Sequence, residues 1–282
     1  MGNYYEKALR LHEEWKGKIS VELKAPLKDK EDLSVAYTPG VAEPCREIAK
    51  DRNNAYKYTW KGNIVAVVSD GTAVLGLGDI GPEAALPVME GKAALFKRFA
   101  GVNAIPIVLD TKDPKEIIET VKRMAPTFGG INLEDISAPR CVEIERTLIE
   151  ELDIPVFHDD QHGTAIVVTA GVMNALKLIG KKKEDVTLVV SGTGAAGSSV
   201  IKMLHAYGIR SIYAFNVNGI LRKGEMDQYN FLEKELCEIT NGEDEPLTLS
   251  EAMKRADLFV GVSAPKVLTK EMVASMKKDA IV

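Results

Sequence analysis

Cysteine is scarce in this 282-residue chain: Cys45, Cys141 and Cys237 are odd in number, widely spaced and outside any Cys-x-x-Cys pattern. This fits buried free thiols in a reducing compartment better than a disulfide or zinc framework. Glutamine is rarer still, with only Gln161 and Gln228 beside abundant lysine and glutamate. That balance leans toward a thermophile and decides nothing about function. Long apolar runs are missing, so the sequence offers no stretch of ~20 apolar residues to span a bilayer. The charged opening MGNYYEKALRLHEEWKGK lacks the apolar segment of a signal peptide, which makes a cytoplasmic location the expectation. No lysine- or arginine-rich stripe stands out, and 36 basic side chains against 41 acidic ones leave a net charge of -5, which argues against nucleic acid as a partner. Low-complexity tracts and internal repeats are also lacking. At 45% hydrophobic and 27% charged residues the chain has the composition of a globular protein, and its length suggests two domains of roughly 150 residues.

From residue 64 onward the pattern is regular. Short β-branched runs at 64–68, 104–109, 130–133 and 154–157 alternate with amphipathic helical stretches near 83–100, 114–124 and 139–151. Such alternation predicts an α/β unit with a parallel sheet and right-handed crossovers. Upstream, alternating Ile19, Val21 and Leu23 suggest a further short strand. A helix near 162–179 then leads to a second series: strands at 186–191, 211–216 and 257–263, with helices to about Tyr207, near 227–238 and around 249–255. This predicts a second, doubly wound sheet, with the domain junction near residue 160 and domains of 1–160 and 161–282.

Each strand of the first series is followed by acid: Asp70, Asp110, Glu134 with Asp135, and Asp159 with Asp160. The carboxyl ends of parallel strands share one edge, so these carboxylates are expected to converge. Glu134-Asp135 alone could cap a helix. Several carboxylates in one crevice instead call for a hard divalent cation such as Mg²⁺ or Mn²⁺. His158 and His162 invite a zinc reading, but residue 159 is Asp where the zinc-helix motif has Glu, and the helix is expected to begin only near Gln161. Lys92 follows a Gly-rich stretch and has apolar neighbours Met89, Ala93 and Leu95, so against the ordinary solvated reading its amine is a candidate proton acceptor. Tyr37, beside a Pro-Gly turn, is either an anchoring aromatic or a proton donor.

In the second series Gly192, Thr193, Gly194, Ala195, Ala196 and Gly197 form a GxGxxG motif directly after a strand and opening a helix. That context favours dinucleotide binding over a ligand-free turn: a tight turn, close backbone approach to a pyrophosphate, and helix-strand packing each need a glycine. The residue expected to hold the adenosine ribose is Asn216 rather than an acid, which leaves NAD and NADP both open. Arg222 and Lys223 are near enough in sequence to serve a 2′-phosphate or are solvated loop charges.

Together these residues resemble the malic enzyme family, closest to its shorter bacterial and archaeal type. The likeness runs through YTPGVAEPC at 37–45, SDGTAVLGLGDIGPEAALPVMEGKAALFKRFAG at 69–101, PTFGGINLEDI at 126–136, PVFHDDQHGTAI at 155–166, SGTGAAG at 191–197 and GVSAPKVLT at 261–269. The resemblance implies an N-terminal catalytic α/β domain followed by a Rossmann-type NAD(P)-binding domain, a homodimer, and metal-dependent oxidative decarboxylation of L-malate to pyruvate and CO₂ with reduction of NAD or NADP. It implies that Glu134, Asp135 and Asp160 bind Mg²⁺ or Mn²⁺, that Lys92 is the general base with Asp159 as its carboxylate partner, and that Tyr37 is the acid. Two departures stand out. Val74 occupies the position of a substrate-clamping arginine found in larger members, so another residue, from this or a second subunit, is expected to balance the substrate charge. The chain ends at DAIV, inside an expected strand, where the family continues to an Asn-Pro motif, so further residues are expected to complete the substrate site. A malolactic conversion with bound NAD, and a nucleotide- and metal-binding module without turnover, are the competing expectations.

Overall fold

The computed structural model describes residues 4–282. The chain divides into two compact units: the first holds the described residues up to Ile136 together with Ile144–Phe157, and the second holds Ser137–Glu143 and His158–Val282.

The first unit opens with four helices, α1 (Tyr4–Trp15), α2 (Lys30–Ala36), α3 (Ala42–Lys50) and α4 (Asn54–Tyr58), none of which contains a buried residue. The strand expected at Ile19, Val21 and Leu23 does not form. Val21 and Leu23 stay exposed, and an alternating pattern without a ladder partner has nothing to stabilise it. Only Ile19 is used, packing against a core of Val67, Met89, Ala93 and Ala104. Then follow β1 (Ile64–Ser69), α5 (Pro82–Leu95), β2 (Asn103–Val108), α6 (Pro114–Met124), β3 (Gly130–Leu133), α7 (Arg140–Glu151) and β4 (Val156–His158), with the strands in the order β2-β1-β3-β4; the first turn of α7 and the last residue of β4 are counted with the second unit. Strand β1 runs parallel to both β2 and β3, and its near-continuous burial is that of a central strand covered on both faces.

The second unit comprises α8 (Asp159–Ile179), β5 (Thr187–Ser191), α9 (Ala195–Tyr207), β6 (Ser211–Asn216), β7 (Gly219–Ile220), α10 (Phe231–Cys237), α11 (Leu249–Met253), β8 (Leu258–Gly261) and α12 (Lys270–Ser275). Its sheet has the order β7-β6-β5-β8, with β5 parallel to β6 and β8 and the two-residue β7 antiparallel to β6. Along β5, Leu188 and Val190 enter one apolar cluster and Val189 the other. Successive side chains point to opposite faces, so both faces of this sheet are covered, as a doubly wound unit requires.

Two sequence expectations need correction here. By length and composition α8 is apolar enough to cross a membrane. Its buried residues Gln161, Ala165, Thr169, Val172 and Leu176 form one helical stripe, three of them in the unit's core, while Ile166, Val167 and Leu178 on its other faces are exposed. Cys45 is exposed rather than buried, because α3 contributes nothing to the core; Cys141 and Cys237 are buried, and burial pushes the Cys237 thiol up to about 11.

At the amino end of the second sheet, buried Asp257 accepts hydrogen bonds from Lys181 Nζ at 2.8 Å, Lys277 Nζ at 3.0 Å and the Thr187 N–H at 2.9 Å. These bonds tie β5, β8 and the segment after α12 together. Ile281 meets Leu258 in a single parallel bridge.

Candidate active site and dinucleotide turn

In the first unit the chemistry gathers where β1 and β3 end. Register pairs Val68 with Leu133, and the Glu134 N–H donates to Val68 O at 2.9 Å, so Asp70 and the Glu134-Asp135 pair leave adjacent strands at one level. All three carboxylates are buried, at 1%, 5% and 4% exposure. Asp110 does not share this environment: it follows β2 at the sheet edge and lies in solvent. Asp70 Oδ1 accepts from the Thr72 N–H at 3.1 Å and from Thr72 Oγ1 at 2.6 Å. Asp135 has a φ of +53°, a left-handed conformation that aspartate tolerates better than most residues, and its carbonyl accepts the Ala73 N–H at 2.9 Å. Local strain of this kind is characteristic of functional sites.

The loop between β1 and α5 closes on itself. Ile80 and Gly81 N–H groups donate to Gly71 O at 3.0 and 3.2 Å, and a Cβ on Gly71 (φ +69°) would stand 2.2 Å from Gly81 O. Glycine is obligatory there. Val74, at the position where larger relatives of the resembled family carry an arginine, is buried and makes a tight two-way bridge with Gly78, so it presents no polar group to a ligand.

Helix α5 brings Lys92 into this group. Its Nζ lies 3.0 Å from Glu134 Oε1, and its side chain is only 20% exposed, so it is not the solvated lysine that helix composition alone suggests. Glu134 Oε2 accepts from Asn132 Nδ2 at 2.8 Å. Asn132 is a functional neighbour that motif reading missed. It stands two residues before Glu134 and therefore on the same face of the strand, and a buried amide within an otherwise apolar strand was the available signal. Carboxylate oxygens held this way suit a hard divalent cation such as Mg²⁺ or Mn²⁺.

Tyr37 caps the carboxyl end of α2 and is 68% exposed, so within this chain it is not enclosed in a crevice. Asp159 and Asp160 lie in the second unit, in the first turn of α8. The helix thus begins earlier than the sequence pattern suggests, because two carboxylates at its amino end are favoured by the unpaired N–H groups and dipole there. The Asp159 carboxylate folds back over Gly163, where an added Cβ would lie 2.3 Å from Oδ1. His158 is fully buried at the amino cap of α8.

The Gly-rich turn of the second unit shows what each glycine does. Gly192 has φ +116°, and a Cβ there would meet Val262 O at 2.8 Å. A Cβ on Gly197 would come within 1.8 Å of Gly192 O, so α9 can approach the turn this closely only without one. Gly194 differs: its φ of -73° suits any residue, and nothing lies within 4 Å of its would-be Cβ. The fold does not need a glycine at 194, whereas a phosphate approaching the backbone does. Ala195 and Ala196 open α9 with N–H groups that lack intrahelical acceptors. These features fit a dinucleotide pyrophosphate.

Beyond the turn, Ser191, Phe215, Asn216, Asn218, Arg222 and Leu247 help to line a cavity of about 450 Å³ at the carboxyl ends of β5 and β6, the edge where parallel sheets bind ligands. Another cavity, of about 350 Å³ beside Lys181 and Asp257, sits at the opposite edge. Asn216 is fixed at both ends: Oδ1 accepts the Asn218 and Gly219 N–H groups at 2.8 and 3.1 Å, and Nδ2 donates to Glu233 Oε1 at 2.9 Å. Thr193 Oγ1 donates to the same Glu233 oxygen at 3.1 Å. Glu233 is the second residue that sequence reasoning missed, since it lies on α10, outside the strand-turn-helix fingerprint.

Comparison with known proteins assigns both segments of the chain to one family. Residues 16–116 and 111–149 match the family model for the malic enzyme N-terminal domain, and residues 161–280 match that for the malic enzyme NAD binding domain. The chain is 55% identical to the bifunctional malic/malolactic enzyme of Bacillus subtilis, over 98% of this chain and 68% of that protein. It is 57% identical to the NAD-dependent malic enzyme of Geobacillus stearothermophilus, over 94% of this chain and 55% of that protein. Among solved structures, the NAD-dependent malic enzyme of Thermotoga maritima superposes with a TM-score of 0.94 at 49% identity, covering 97% of this chain and 73% of that one. The chain thus spans between about half and about two thirds of the length of the first two relatives.

Proposed function

The chain belongs to the malic enzyme family, and from that premise we propose that it carries out oxidative decarboxylation of L-malate to pyruvate and CO₂ with reduction of NAD or NADP. The observation that carries this reading is the Lys92 amine held 3.0 Å from buried Glu134, in a unit with two further buried carboxylates. Glu134, Asp135 and Asp160 are the proposed ligands of Mg²⁺ or Mn²⁺. When bound, such a cation supplies Lewis acidity toward the hydroxyl oxygen on C2 of malate and the negative charge that develops there. Lys92 Nζ takes the C2 hydroxyl proton, with Asp159 as its carboxylate partner. The Tyr37 hydroxyl returns a proton to C3 after CO₂ leaves. Asn132 orients Glu134 through its amide, and the backbone N–H groups at Gly194–Gly197 hold the nucleotide pyrophosphate. In domain terms, residues 1–160 carry out the chemistry and residues 161–282 bind the nucleotide.

A steady-state assay with malate, Mn²⁺ and each nucleotide tests this reading. Reduced nucleotide and pyruvate are the expected products, abolished by a chelator; no turnover by the intact protein overturns the proposal. The malic/malolactic relative from Bacillus subtilis favours one second reading, conversion of malate to lactate; lactate without free reduced nucleotide identifies it. We further propose a homodimer in the cytoplasm. Its support is α1, which leaves Tyr5, Leu9 and Trp15 exposed. Light scattering should report about twice the 30.8 kDa of one chain.

A further inference from the structure

Discrimination between the two nucleotides rests on the 2′ position of the adenosine ribose, which in a GxGxxG unit sits between the Gly-rich turn and the end of the second strand. In this chain the usual acid at that strand end is replaced by Asn216. The amide has no acceptor to spare for a ribose hydroxyl, because Oδ1 is held by two backbone N–H groups of its own turn. Its Nδ2 points instead at Glu233 Oε1, which also accepts from Thr193 Oγ1. One carboxylate therefore bridges the turn residue Thr193 and the strand-end residue Asn216, the two elements between which the ribose lies. Its other oxygen, Oε2, accepts the Asn230 N–H at 3.4 Å as part of the capping box of α10 and Asn230 Nδ2 at 2.9 Å besides.

The nearby cations do not offset this charge. Arg222 lines the cavity, but its NH1 lies 3.0 Å from Glu225 Oε1, its Nε donates to Asp244 O at 3.2 Å, and its NH2 lies 3.8 Å from Asp244 Oδ2. Lys223 Nζ is 2.9 Å from Glu238 Oε2. Both basic groups that could serve a 2′-phosphate are already matched by carboxylates.

We infer that Glu233 takes the place of the missing strand-end acid as a charge and makes this site select NAD over NADP by repelling a 2′-phosphate, its own oxygens being filled by donors from Thr193, Asn216 and Asn230. The inference rests on the dinucleotide reading of the Gly-rich turn. Moving the acid from strand to helix keeps its charge at the ribose while Asn216 closes the turn.

Calorimetric titration of the native protein with NAD and with NADP, repeated on Glu233→Gln, tests it without any turnover. Gln removes the charge and can still accept the Asn230 N–H of the capping box, but its NH₂ then meets the Asn216 and Thr193 donors, so the variant's melting temperature and NAD affinity are measured alongside. The native protein should bind NAD at least about tenfold more tightly than NADP, and Glu233→Gln should narrow that ratio about fivefold or more, chiefly by tightening NADP. Equal native affinities, or an unchanged ratio in a variant that still binds NAD, overturn the inference and leave the dinucleotide reading intact. Failure of the native protein to bind either nucleotide overturns the reading itself. If the variant does not fold, a salt series on the native protein decides: between about 0.05 and 0.5 M salt the preference for NAD should shrink as repulsion is screened, and a constant ratio overturns the inference.

Discussion

The two units present the same architectural edge with opposite chemistry. Each has a four-stranded sheet with a central parallel strand, β1 in the first and β5 in the second, flanked by strands reached through helical crossovers. At the carboxyl ends of the first sheet stand Asp70, Glu134 and Asp135, with Lys92 reaching in from α5. At the carboxyl ends of the second stand Gly192, Thr193, Gly194 and Asn216, which offer backbone N–H groups and neutral side chains. On the proposed function, one edge serves a cation and a mobile proton, the other a phosphate. The fold thus supplies a ligand-binding edge, and a few residues directly after the strands decide which ligand it takes.

Variants can break that division of labour one side at a time. The largest effect is expected from Lys92→Ala, which should lower kcat on the order of 10³-fold while calorimetry finds nucleotide binding intact; retained turnover would remove Lys92 from the base role. Next is Gly197→Ala in the other unit. Its Cβ would stand 1.8 Å from Gly192 O, so the helix must shift, and nucleotide affinity should fall on the order of 100-fold. Gly194→Ala sharpens the contrast. With open space around it, the change should alter stability by less than about 1 kcal/mol yet weaken nucleotide binding about tenfold. Loss of stability in a urea titration without loss of binding would mean that the fold, and not a ligand, requires this glycine.

The smallest expected effect concerns Asp257, where the second unit uses an acid for structure alone. Burial pushes this carboxyl up, but hydrogen bonds from Lys181, the Thr187 N–H and Lys277 outweigh it and hold the group below the ordinary carboxylate range. A depressed folded-state value contributes stability above the unfolded carboxyl value of about 3.9, and that contribution disappears as pH falls through the folded value. Denaturant melts should show native stability dropping below about pH 4 more steeply than in Asp257→Asn, which should already be weaker at neutral pH by about 1 kcal/mol. Identical pH slopes would show that Asp257 contributes nothing to acid sensitivity.

Much of the fold was legible because buried parallel strands advertise themselves as β-branched runs. The runs at 64–68, 130–133 and 211–216 form strands almost to the residue. Ile19, Val21 and Leu23 read just as plausibly and form none, since period-2 alternation states which face a strand would bury but not whether a partner strand exists. The site followed the same rule. Glu134 and Asp135 were visible as acids after a strand, and Gly192 to Gly197 as a spaced motif. Asn132 was not, although its spacing of two from Glu134 put both on one strand face, because the run was read for its apolar residues; Glu233 was not, because its partners Thr193 and Asn216 lie 40 and 17 positions away on other elements.

Local chemistry alone therefore settled which elements exist, which edge carries the acids and where a phosphate finds unpaired N–H groups, since strand runs, helix starts and glycine-dependent turns are governed by neighbours a few residues apart. Tertiary structure alone decided that Lys92 faces Glu134 rather than solvent, that Asp110 stays outside, and that the charge missing at Asn216 returns from α10. Those outcomes depend on packing between residues tens of positions apart, where burial and hydrogen-bond geometry, not propensity, choose the partner.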